Sequence, residues 1–216
     1  MGQKVNPTVF RLGILYKPTS RWFAGGEDYQ LFALQDIKIK KFIEDRLKLA
    51  GIDRVIVERS INVIKITIHA GRPGVVIGRG GANLDLLKKE LENFLKTIGA
   101  ASTLKFELDV KEIKNPDLSA KLVGERISEQ LIKRYPHRRA ISQAQERVMA
   151  AGAKGVKIQL SGRVGGAEIG RQEKYATGSI PTQTLRSDID YAKVASLTRS
   201  GYVGIKVWIY KGEAEL

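Results

Sequence analysis

The chain has 216 residues, 37 Lys and Arg against 23 Asp and Glu, a net charge of +14 and no cysteine. Without cysteine there is no disulfide framework, no Cys-ligated zinc, no iron–sulfur cluster and no thiol nucleophile. The apolar runs fall far short of the ~18 residues that a membrane span needs, and Met1–Pro7 carries no apolar signal core, so a soluble protein of a reducing compartment is expected.

The charge is spread along the chain: net +2 over 1–35, +5 over 36–115 and +7 over 116–216. Basic residues lie among patterned hydrophobics, so they belong to folded surfaces, and their excess points to a polyanionic partner.

Residues 1–35 show little periodicity and hold Phe10, Tyr16, Trp22, Phe23, Tyr29 and Phe32, which suggests an N-terminal arm that lies on some other surface. Asp36 reads as an N-cap, and Ile39, Phe42, Ile43, Leu47 and Ala50 repeat at helical spacing up to Gly51. Two alternating runs, 53–59 and 62–70, predict strands. Pro73-Gly74 breaks the second, and Val75-Val76-Ile77 leads into Gly78-Arg79-Gly80-Gly81. Leu84, Leu87, Leu91, Leu95 and Ile98 then make one helical stripe that Gly99 ends, and Leu104, Phe106, Leu108 and Val110 alternate as a strand. The order is αββααβ.

Asn115-Pro116 marks a boundary and a helix start. Helices are predicted over 117–134 and about 138–151, separated by Pro136. Val156–Leu160 and Val203–Ile209 alternate as strands, with a glycine-rich stretch and a partly extended 180–195 between them. The expected fold class is α+β: a type II KH domain over 36–114, then a second α/β domain over 115–212 with two helices on a mostly antiparallel sheet, and a tail, 213–216.

The sharpest motif is Gly78-Arg79-Gly80-Gly81, with Arg72 just before it. Glycines let the backbone approach a ligand, and the following helix offers free N–H groups to phosphate. A Gly-x-x-Gly loop in an αββααβ setting is how KH modules clamp about four nucleotides; the plainer alternative is a helix–helix turn. The P-loop pattern is absent, and Asn83 stands where a dinucleotide fingerprint needs its third glycine. No cofactor is expected.

The second motif is Lys133-Arg134-Tyr135-Pro136-His137-Arg138-Arg139, without an acid. Cations suit the end of the first helix, but Arg138 and Arg139 sit at the positive start of the second, at about 0.3–1 kcal/mol each unless an anion compensates. An RNA-facing cluster is favoured. The third is the glycine-rich stretch with Arg163, Arg171 and Lys174, followed by Arg186 and Arg199; it fits tight hairpins and an RNA contact equally well.

Catalytic signals are poor. Ser102-Thr103-Leu104-Lys105 matches Ser-x-x-Lys, but strand alternation explains it. His69 and His137 have no evident carboxylate orienter, and Asp188 with Asp190 fits a solvated strand face as readily as a metal pair. The chain is not expected to be an enzyme, and no catalytic or metal residue is assigned.

Met1–Pro7, Arg11-Leu12-Gly13, Arg72–Gly78, Gly155-Val156-Lys157, Ser161–Ile169 and Gly204–Ile209 closely resemble the bacterial-type small-subunit ribosomal protein S-three family, in order and over the whole chain. The resemblance implies a cytoplasmic protein of the small-subunit head that binds small-subunit rRNA and lines the path of incoming mRNA. It implies proteins S-ten and S-fourteen as neighbours, with S-two, S-four and S-five nearby. It places the Gly78–Gly81 loop toward incoming mRNA and gives Arg138 and Arg139 a part in opening mRNA helices. Family members carry further Lys or Arg where Ser142 and Gln143 stand here. The competing readings are a free-standing KH protein that chaperones RNA or regulates translation, and a nuclease or DNA-lesion lyase.

Overall fold

A computed structural model describes residues 3–60, 63–97 and 105–214. In chain order they form a one-turn helix α1 (Pro7–Phe10), a two-residue strand β1 (Ser20–Arg21), helix α2 (Glu27–Arg46) and strands β2 (Ile52–Arg59) and β3 (Val63–Ala70). Helices α3 (Pro73–Ile77) and α4 (Ala82–Thr97) and strand β4 (Lys105–Glu112) follow. The rest is α5 (Ala120–Ile132), α6 (His137–Ala150), β5 (Gly155–Gly162), β6 (Arg171–Gly178), β7 (Ser187–Thr198) and β8 (Gly201–Glu213). Ile98, Gly99, Ser102, Thr103 and Leu104 lie outside the described residues, as do Met1, Gly2 and the end of the tail.

The chain divides into two units, 18–114 and 1–17 with 115–216. In the first, the sheet order is β1-β2-β3-β4. β2 and β3 are antiparallel, while β1 joins β2 and β4 joins β3 in parallel. The alternation in β2 and β3 brings Val55, Val57, Ile64, Ile66 and Ile68 against Ile39 and Ile43 of α2 and Leu87, Leu91 and Leu95 of α4. Phe42 stacks on Phe94, ring centroids 4.6 Å apart.

Asp36 is not an N-cap. α2 starts nine residues earlier, after Gly26, with Glu27 and Asp28 in its first turn, where acids suit the helix dipole. Asp36 is instead buried in mid-helix, where it accepts from the Trp22 indole and from the Arg59 guanidinium. Arg59 also donates to Gln35, so the buried ion pair is completed by hydrogen bonds.

The second unit holds a fully antiparallel sheet, β6-β5-β8-β7. Val156, Ile158, Leu160, Ile205, Val207 and Ile209 pack against Val123 and Ile127 of α5 and Ile141 and Val148 of α6. α5 comes close because residue 124 is glycine: a Cβ there would lie 2.8 Å from the Val194 side chain. Pro116–Leu118 forms a single 3-10 turn, and α5 begins afterwards with Ser119 capping the Leu122 N–H.

The expected arm, 1–35, is split between the units at Lys17 and Pro18. Its first part is fastened by Arg11, which is fully buried. Arg11 donates to the carbonyls of Pro7, Thr182, Thr184 and Ser187 at 2.7–3.1 Å. The Tyr16 hydroxyl donates to Asp188, and burial followed by that carboxylate pushes the Tyr16 pKa far up. Its second part supplies β1 and Trp22 to the first unit.

Candidate nucleic-acid interface

The Gly78–Gly81 loop is built by two helices that cannot join. Pro73 starts α3 at a position where its missing N–H costs nothing. The helix stops at Gly78, whose N–H donates to the Gly74 carbonyl at 2.9 Å. Gly78 has φ +73° and ψ −177°, a conformation reserved for glycine. It is also crowded, since a Cβ would lie 2.7 Å from Asn83 Cγ. Asn83 in turn donates from Nδ2 to the Val75 carbonyl at 3.2 Å, a clasp between α4 and α3.

Gly80 and Gly81 have φ +62° and +85°, and a Cβ on either would meet open space. The loop backbone is therefore bare on its outer side. The first-turn amides of α4 follow, and Asp85 is the one acid in that turn. Arg72 and Arg79 are exposed, with no ion pair among the described residues. Val75 and Ile77 are also exposed beside the loop, whereas Val76 between them is buried. The sequence signal for these exposed residues is an apolar run, Val75-Val76-Ile77, on a single helical turn, which can bury only one side.

The second motif lies at the α5–α6 junction. Arg134 follows the α5 C-cap with φ +59°, the only positive φ on a non-glycine residue among those described. Its N–H donates to the Leu131 carbonyl, and the Tyr135 N–H donates to the Gln130 carbonyl, which closes a Schellman turn. Lys133, Arg134, Arg138 and Arg139 are exposed. Arg139 sits over the Tyr135 ring at 5.7 Å. The seven-residue window has no acid, but β6 brings one in. Glu173 Oε2 lies 3.2 Å from His137 Nε2, misaligned for a hydrogen bond. Glu173 also accepts from the Tyr175 hydroxyl at 2.6 Å and pairs with Arg171 at 2.7 Å. The Tyr175 hydrogen bond, helped by His137 and Arg171, holds the Glu173 carboxyl below the usual range. Arg138 reaches the same Tyr175 hydroxyl.

The third set is divided in role. Arg163 donates from Nε to the Ala167 carbonyl at 2.9 Å and from Nη1 to the Ser200 carbonyl at 3.3 Å, so it braces its own loop. Lys174 is exposed on the edge strand β6; burial first, then the charges of Lys4 and Lys174, lowers the Lys157 pKa. Arg186 is exposed after the 180–185 loop. Asp188 and Asp190 are engaged within the fold: Asp188 accepts from the Tyr16 hydroxyl, and Asp190 accepts from the Ala120 N–H at 2.9 Å.

A split KH-type sheet with an open glycine loop, followed by an arginine-rich α/β unit, defines a two-domain RNA-binding protein. The KH domain family matches residues 38–118, and the family "Ribosomal protein S3, C-terminal domain" matches 127–209. The small ribosomal subunit protein uS3 of Caldicellulosiruptor saccharolyticus is 49% identical over 215 residues, 99% of this chain and 93% of its own. That of Carboxydothermus hydrogenoformans is 46% identical over 213 residues, 99% and 93%. That of Bacillus thuringiensis is 46% identical over 213 residues, 99% and 94%. The chain belongs to the small ribosomal subunit protein uS3 family, whose members are structural, RNA-binding and non-enzymatic.

Proposed function

We propose that this protein binds small-subunit rRNA in the ribosomal head and lines the path of incoming mRNA. The Gly78–Gly81 loop, with Arg72 and Arg79, takes the RNA backbone. Lys133, Arg134, Arg138 and Arg139 form the cationic surface that mRNA passes, and Arg171, Lys174 and Arg186 add phosphate contacts. Arg163 contributes chiefly by holding its loop. Proteins S-ten and S-fourteen are its neighbours, with S-two, S-four and S-five nearby. The observation that carries the reading is the open backbone at Gly80 and Gly81, in positive-φ conformations with nothing of the fold against them.

Gly80→Asp tests it. At φ +62° and ψ 19° Gly80 is left-handed α, which Asp tolerates better than other side chains. Affinity of the full chain for short single-stranded RNA should fall while its melting temperature stays within a few degrees. Unchanged affinity would mean that the loop is only a turn.

A further inference from the structure

A cavity of about 480 Å³ opens in the second unit where α5 ends, α6 begins and the loops 163–166 and 198–200 meet. Its volume is that of a small-ligand pocket, several times what an isolated phosphate needs. Its lining is divided by chemistry. On the apolar side Leu131 is half-buried and backed by the buried core residues Val164 and Val203, while Arg134, Arg163 and Arg199 supply cations, and no acid is among its lining residues.

Two of those cations have guanidiniums that the fold does not engage among the described residues. Arg134 occupies the left-handed position of the Schellman turn, where glycine is ordinary and a side chain costs about 1–2 kcal/mol. Its backbone N–H closes the turn, but its guanidinium makes no hydrogen bond or ion pair among the described residues, so the side chain itself returns nothing for that strain. Arg199 is exposed at the β7–β8 turn and is likewise without an ion pair among the described residues. Arg163 is the reverse case, fixed by two carbonyls as a rigid wall. In the same loop Gly165 has φ +68°, and a Cβ there would press the His137 ring at 3.3 Å, so the glycine leaves that ring room.

We propose that this cavity takes one unstacked nucleotide of a bound RNA: the base over Leu131, Val164 and Val203, the phosphate between Arg134 and Arg199. Single-stranded or looped RNA presents bases free to be splayed out; a duplex does not. The proposal rests on the RNA-binding reading and sharpens it, because it separates these arginines from cations that only touch the backbone.

The test uses the full chain, methyl-labelled at Leu and Val, with a single-stranded RNA octamer. The expected result is nuclear Overhauser contacts from base protons to the methyls of Leu131, Val164 or Val203. Arg134→Gly relieves the backbone, so it should fold at least as well as the parent. Combined with Arg199→Gln it should nonetheless weaken RNA binding about a hundredfold, about tenfold for each of the two charged hydrogen bonds lost. Ser200→Phe, which narrows the cavity without touching a cation, should remove the methyl contacts. RNA that binds at parental affinity to the double variant, or that binds the parent with no methyl contact, overturns the pocket and leaves RNA binding intact. An acidic peptide that displaces the octamer from these methyls at lower concentration than RNA does would also overturn it. No RNA binding at all would overturn both readings together.

Discussion

Arg11→Met isolates what fastens the N-terminal residues to the second unit. Methionine keeps most of the aliphatic volume and removes the guanidinium, leaving the carbonyls of Pro7, Thr182, Thr184 and Ser187 without their donor. Each buried carbonyl left unmet costs about 1–3 kcal/mol, partly offset because the charge no longer has to be desolvated. The Pro7 and Ser187 carbonyls are the buried ones, so we expect a loss of about 2–5 kcal/mol. Urea unfolding followed by Trp208 fluorescence, in a Trp22→Phe background, reads the second unit alone. Arg11→Lys keeps the charge but cannot fan donors to four carbonyls, so it should recover only part of the loss. A loss under about 0.5 kcal/mol, the size of an ordinary surface substitution, would refute the claim that residues 3–17 are part of this unit.

Gly78→Ala should destabilise the first unit by about 1–3 kcal/mol in thermal melts, through its φ and the Asn83 collision, whereas Gly80→Asn should leave the melt nearly unchanged. Equal melts would mean that Gly78 is not a strained position. His69 is depressed, first by burial and then by Arg54, its cross-strand partner. Its unfolded form binds the proton more readily, so the first unit should lose stability as pH falls below about 6.5. His69→Gln should flatten that pH dependence, and an unchanged profile would assign it elsewhere. Glu173 is depressed, so its contribution is present above the ordinary carboxylate range and lost as pH falls through its lowered value. Tyr175→Phe removes the largest cause and should bring that loss to higher pH in acid titrations of the second unit; no displacement would contradict the assignment.

What was legible in the sequence was whatever repeats with a single period. Leu87, Leu91 and Leu95 in α4, and Ile64, Ile66 and Ile68 in β3, bury the faces that their spacing marks. The first turns of α2 were hidden because Gln35 and Asp36 are the buried residues there, while Leu31, Leu34 and Ile37 are exposed, which breaks the apolar stripe. β6 was hidden because an edge strand reading Arg171-Gln172-Glu173-Lys174 has no apolar face. The glycine loop could be found by its motif, but its division into a clasped Gly78 and an open Gly80 depends on Asn83. Pairings such as Arg11 with Ser187 or His137 with Glu173 join distant parts of the chain and leave no local pattern.

The central claim, that the α5–α6 junction meets RNA, is tested most directly by the salt dependence of single-stranded RNA affinity. Each phosphate contact contributes about −0.7 to the slope of log affinity against log salt. Arg138→Ala with Arg139→Ala should therefore lower the magnitude of the slope by about 1.4 while the rest of the interface keeps its share. An unchanged slope would show that these arginines only dress the start of α6, and would contradict the account.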